Sequence, residues 1–90
     1  MKYNIEYSTK FKKRYKKLNA KEQQEARAII NRLANDEQLE IKYRDHSLKG
    51  EFINFRECHI QPDLLLIYQK QDDKLILYCL LCLSVLYHKI

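Results

Sequence analysis

Two apolar runs in the second half of the chain constrain the fold most. Leu64-Leu65-Leu66-Ile67-Tyr68-Gln69 is continuously apolar over the length of a strand. Lys74 to about Leu83 is a second, strongly apolar strand, and Gln71-Asp72-Asp73 between them has the composition of a hairpin turn. A strand without period-two alternation has no face for water, so Leu64–Gln69 is expected at the centre of a sheet, covered on both sides.

The first half has a different period. Tyr3, Ile5 and Tyr7 alternate with polar residues over 2–8, as in a half-buried strand. Ser8 and Thr9 offer N-cap oxygens, and Phe11, Tyr15 and Leu18 follow at helical spacing, so a short helix is expected over about 9–18, with Asn19 ending it. Ala26, Ile29, Ile30 and Leu33 form the buried stripe of a second helix from Ala20 to about Asn35, with Glu22, Glu25 and Arg32 outside. Residues 36–46 lack a period and read as a loop. Leu48–Phe52 and Phe55–Ile60 read as strands around a turn at Ile53-Asn54, and Pro62-Asp63 marks the next turn. The order β-α-α-β-β-β-β is α+β: an N-terminal strand and a two-helix hairpin packed on a four- to five-stranded, mainly antiparallel sheet.

Ninety residues are expected to make a single domain, 1–90. A single glycine leaves no G-x-x-x-x-G-K or G-x-G-x-x-G loop, which excludes the nucleotide-loop enzymes. No apolar run approaches the roughly 20 residues of a membrane helix, and Met1–Lys10 has no apolar core of a signal peptide, so neither membrane nor export is expected. The odd set Cys58, Cys79 and Cys82 reads as reduced thiols in a cytoplasmic protein.

The net charge of +5 is concentrated in one segment. Residues 1–21 hold eight Lys/Arg and one acid, a net +7, whereas the other 69 residues hold nine bases and eleven acids, a net −2. Lys10, Lys13, Arg14 and Lys17 lie in this segment, which suits a phosphate backbone or an acidic protein partner. A solvated helix face is the alternative reading.

The groups able to do chemistry cluster downstream. His46 lies at a loop-to-strand junction, and His59 at a strand end four residues before Asp63, with Pro62 stiffening the turn. Two imidazoles, a carboxylate and the cations Lys49 and Arg56 are suitable parts for acid–base cleavage of a phosphodiester. One group takes a proton from a ribose 2′-OH, another protonates the leaving 5′-oxygen, and a cation stabilises the phosphorane. Strand alternation puts His59 with Phe55 and Glu57, and Arg56 with Cys58 and Ile60 on the other face, so joint action of both sets requires a bulge, a twist or a site at the sheet edge. His46, His59, Asp63 and His88 are metal-ligand types without a compact ligand spacing, and Cys79-Leu-Leu-Cys82 would point its thiols to opposite faces of a strand, so no metal or other cofactor is expected.

Asp45-His46-x-Leu48-x-Gly50, an aromatic at Phe52, and then Phe55-Arg56-Glu57-Cys58-His59-Ile60-x-Pro62-Asp63-Leu64-Leu65-Leu66-Ile67-Tyr68 resemble the YafQ branch of the RelE/ParE toxin superfamily. The likeness is dense over about 42–77 and follows the helical hairpin in order and spacing. It implies a RelE-like fold and a type II toxin: a small basic endoribonuclease that cuts messenger RNA on the ribosome and is silenced by a cognate antitoxin in a hetero-oligomer. It implies catalytic roles for His46, His59 and Asp63, and RNA or phosphate contact by Lys49, Arg56, Tyr87 and the basic helix. At the C-terminal end the chain departs from the pattern. Cys79 stands at the family's arginine, Leu81 at a glycine, Cys82 at a Ser/Thr, Leu83 at a histidine expected to be the general acid, and Tyr87 at a phenylalanine. His88 is a possible substitute acid. An alternative to the nuclease is therefore a toxin-fold protein that binds antitoxin without cleaving RNA.

Overall fold

The computed structural model describes residues 1–83. Tyr87 and His88 lie outside the described residues. Among those residues, β1 (Asn4–Tyr7), α1 (Thr9–Tyr15) and α2 (Ala20–Ala34) are followed by a 3-10 turn at Ile41–Tyr43. Then come β2 (His46–Ser47), a second 3-10 turn at Gly50–Phe52, β3 (Arg56–Gln61), β4 (Leu64–Gln71) and β5 (Lys74–Cys82). The strands form one sheet in the order β1-β5-β4-β3-β2. β1 pairs with β5 in parallel; the other pairs are antiparallel. The continuously apolar strand is the central one, but the expected cover on both sides is not found among the described residues: the helices pack on one face only, and on the other Leu65 is buried and Ile67 half-buried without a covering helix.

The helix boundaries follow from capping. Ser8 accepts from the Phe11 amide and starts α1. Asn19 differs from its expected role. It begins α2 rather than ending α1: its side chain accepts from the Glu22 amide at 2.8 Å, and Glu22 accepts from the Asn19 amide at 2.9 Å. This reciprocal box satisfies two amides that a helix start leaves open.

The expected strand at Leu48–Phe52 is also corrected. Pairing is confined to His46–Ser47, and Gly50–Phe52 coils into a 3-10 turn. Gly50 has φ +67°, which breaks any extended run; no heavy atom lies where a Cβ would meet it, so the backbone angle and not space calls for glycine. The expected loop at 36–46 holds the Ile41–Tyr43 turn and gives up His46 to β2.

Both helices contribute to a core on one face of the sheet. Phe11, Ala26, Ile29, Ile30 and Leu33 join Cys58, Ile60, Leu64, Leu66, Tyr68, Leu75, Leu77 and Leu80 in one cluster. Leu65 and Cys79 are buried but stand apart from that cluster, because they face the other way. The register of β4 and β5 explains this. Tyr68 pairs with Leu77 and Ile67 with Cys79, so Tyr78 is an extra residue in β5. A bulge of this kind turns two successive side chains to one side. Tyr78 and Cys79 therefore both face away from the helices.

At the far edge Asp36, in the left-handed region at φ 60°, ties three elements together. Its carboxylate accepts from Lys2 and Lys70, each at 2.8 Å. These hydrogen bonds hold its pKa down to about 2. A depressed carboxylate stabilises the fold above its unfolded pKa of 3.8, and that contribution is lost as pH falls towards 2. Asp36→Asn is expected to lower the urea midpoint at pH 7, with the gap from wild type closing between pH 4 and pH 2; an equal gap throughout would refute the clamp.

Candidate active site

The segment carrying His46 is anchored from the core side. Arg44, at φ 49°, ends the Ile41–Tyr43 turn, and its amide donates to the Ile41 carbonyl at 2.9 Å. Asp45 then meets Tyr68, whose buried hydroxyl donates to Oδ1 at 2.5 Å. Arg56 closes the network: Nε is 3.2 Å from the Tyr68 hydroxyl, Nη2 is 3.3 Å from Asp45 Oδ2, and Nη1 donates to Ser47 Oγ at 2.9 Å. Burial and the Asp45 carboxylate push the Tyr68 pKa up, so the phenol stays protonated and donates. Burial opposes the Arg56 charge, but Tyr68 and Asp45 outweigh it and raise its pKa. Arg56 pairs with Tyr68 in register and so lies on the helix-covered face, engaged in this network.

His46 takes the opposite face. Its Nδ1 lies 2.5 Å from the Arg44 carbonyl. A carbonyl only accepts, so Nδ1 is the nitrogen that donates there, and Nε2 faces outward. Nε2 is 3.6 Å from Glu57 Oε1, with half of the His46 side chain exposed. His46 pairs with Glu57, Glu57 with Ile67, and Ile67 with Cys79, which makes a transverse row across the sheet. His59, two residues from Glu57, shares that face about 7 Å further along the strand. It pairs with Leu65, and Leu65 with Leu81, in the next row.

His59 is half-buried, with Nδ1 3.4 Å from the Pro62 carbonyl. It also borders a concavity of about 640 Å³ between α2 (Lys21, Glu25, Ala28, Ile29) and the edge of β3, closed by Lys42, Tyr43 and Pro62. Asp63 is exposed in the next turn, and its carbonyl accepts from the Leu83 amide at 2.8 Å. The end of β5 is thus fixed at the turn that carries Asp63.

The expected residues separate into two groups. Strand register sets His46 and His59 to the same side of β2 and β3, with His59 at the sheet edge where it also borders the α2 concavity, and Asp63 lies in the turn that ends β3. Arg56 sits on the other face. The bulge that offsets the β3–β4 register lies beyond His59 and does not bring Arg56 across. Lys49 is exposed in the β2–β3 connection; Lys13 is exposed on α1, Arg14 is partly covered, and Lys17 is exposed just beyond. Lys10 reaches the sheet, its Nζ 5.5 Å from the Tyr78 ring centroid. It offsets part of the pKa rise that burial and Glu57 impose on Cys79, which stays a neutral thiol. Cys58, on the core side, is pushed up to about 12, by burial first. Sequence reasoning passed over Glu57; its signal was parity with His59. Among the described residues no group of three or more His, Cys, Asp or Glu is arranged to hold a metal ion.

The fold is that of solved bacterial toxins. A copper-bound mutant toxin from Helicobacter pylori superposes with a TM-score of 0.84 at 37% identity, over 93% of this chain and 98% of that one. YafQ from Escherichia coli BL21(DE3) gives 0.80 at 27% identity, over 94% and 98%. In sequence, the mRNA interferase toxin YafQ of E. coli K12 is 34% identical over 76 residues, 81% of this chain and 82% of that relative. A 41-residue stretch is 52% identical to a Haemophilus influenzae protein named for YafQ, spanning 46% of this chain but only 36% of that relative. These likenesses define a small bacterial toxin class. Residues 3–85 match the family model described as the bacterial toxin of type II toxin–antitoxin system, YafQ. The chain belongs to the YafQ toxin family.

Removing the Tyr68 hydroxyl tests the anchor beneath His46. Tyr68→Phe strips Asp45 of a donor in a partly buried site and is expected to cost about 1–2 kcal/mol in urea unfolding. An unchanged midpoint would show that Arg56 alone suffices.

Proposed function

We propose that this chain is a cytoplasmic messenger-RNA endoribonuclease acting on the ribosome, one toxin domain silenced by an antitoxin protein. The observation that carries the reading is the register that sets His46, Glu57 and His59 to one side of β2 and β3, with His59 at the edge that the α2 concavity borders. Relatives named as mRNA interferases support the reaction class. The E. coli DinJ–YafQ complex, with a TM-score of 0.77 to its matched chain, supports an antitoxin partner and a hetero-oligomer.

The geometry favours definite roles. With Nδ1 held by Arg44, neutral His46 takes the ribose 2′-OH proton at Nε2, and Glu57 stabilises the imidazolium that results. The 2′-oxygen attacks phosphorus, and the 5′-oxygen leaves with a proton from His59, assisted by Asp63 in the adjoining turn. Lys10, and beyond it Lys13, Arg14 and Lys17, offer cations to the RNA backbone, and Lys49 does so from the β2–β3 connection. The charged rim of Lys12, Lys16 and Arg27 surrounds an apolar cleft of about 350 Å³ between α1 and α2. This combination suits an acidic amphipathic segment that folds as it binds.

One observation favours a second reading. Leu83 stands at the family histidine by resemblance; its amide donates to the Asp63 carbonyl, which keeps it beside that turn, and a leucine side chain has no proton to give. On that reading the chain binds antitoxin without cutting RNA.

Cleavage of a programmed messenger on purified ribosomes separates the two. Wild type is expected to cut, His59→Ala to lose roughly 10²–10⁴ in rate, and Leu83→His to cut faster than wild type. Cuts by Leu83→His alone would establish the binding-only reading. No cuts by any variant would overturn the nuclease.

A further inference from the structure

Three aromatic rings stand outside the hydrophobic core on the same side as the proposed site. Phe52 is 50% exposed, and its ring centroid lies 6.1 Å from that of Phe55, at 66°. Phe55 in turn lies 5.2 Å from Tyr78, at 55°. None of the three belongs to the core cluster, so they form a separate aromatic patch. The β5 bulge turns Tyr78 to this face, and Tyr78 is the chain neighbour of Cys79, the end of the row that runs through Glu57 to His46. Lys10 stands over the same Tyr78 ring, so the patch is cationic at one end.

We propose that Phe52, Phe55 and Tyr78, with Lys10, form a platform on which one unstacked base of single-stranded RNA rests while its phosphate enters the His46–Glu57–His59 site. The proposal rests on the nuclease reading for its substrate. Every base offers a π-face, so tilted rings accept a base without reading its edge, and a lysine at the rim takes the adjoining phosphate. The charge decides between RNA and an apolar peptide: the rings adjoin Lys10 and the +7 segment, which attracts phosphate. Phe52 closes the 3-10 turn that Gly50 opens at φ +67°, and its ring there lies 6.1 Å from that of Phe55. The residues that defeat an extended strand at 48–52 therefore have a task of their own.

The test uses the full chain carrying His59→Ala, so that RNA survives, and a short single-stranded RNA with 2-aminopurine at each position in turn. Stacking is expected to quench the probe at one position. A Phe52→Ala, Tyr78→Leu double variant should relieve that quench and weaken binding by roughly 5- to 150-fold, with the salt slope unchanged. Tyr78→Phe should keep both, which guards against a folding defect, and Lys10→Ala should reduce the salt slope by about one. Unquenched probe at all positions, or equal affinity in the double variant, would overturn the platform, even if the ribosome assay shows cleavage. Quenching that depends on the rings would sustain it even if no cleavage is found, so the two readings fail separately.

Discussion

The pairing of β4 with β5 is the constraint on which the rest of the structure depends. β4 lies at the centre, and β5 joins it to the parallel edge strand β1. Their register decides which residues enter the helix-covered core and which do not. Leu64, Leu66 and Tyr68 face the helices; Leu65 and Ile67 face away. The bulge at Tyr78 keeps Leu75 and Leu77 in the core and still puts Cys79 opposite Ile67. A one-residue slip here would exchange the two faces from that point on. Backbone hydrogen bonds along two long strands, closed by a short turn, make such a slip costly.

Much of this was legible in the sequence because hydrophobic period is a direct record of burial. The run Leu64–Tyr68 announced a central strand, and Ala26, Ile29, Ile30 and Leu33 announced the buried side of α2. Capping was less legible. Asn19 is compatible with ending one helix or starting the next, and the choice rests on Glu22 three residues on, a reciprocal bond that period alone does not weigh. Leu48–Phe52 failed for a different reason. Its apolar residues alternate as in a strand, yet Gly50 takes a backbone angle that no strand contains.

The candidate site was legible in composition and only partly in geometry. Alternation along β3 correctly separated Glu57 and His59 from Arg56, Cys58 and Ile60. It could not show that Arg56 would be held by Asp45 and Tyr68, because Tyr68 is twelve residues away and its hydroxyl position depends on the β3–β4 register. It also could not show the β5 bulge, since nothing in Leu77-Tyr78-Cys79 distinguishes a regular apolar strand from one carrying an extra residue. Glu57 was passed over for a similar reason: a carboxylate in a strand gains meaning only when its cross-strand partner is known to be a histidine.

The same separation of faces keeps Cys79 out of the helix-covered core and in the row of Glu57 and His46. Cys79 is near both Glu57 and Lys10, and the two act on its thiol in opposite senses. With a neutral thiol in that place, Glu57 is left to His46, and Lys10 is a cation at the end of the row.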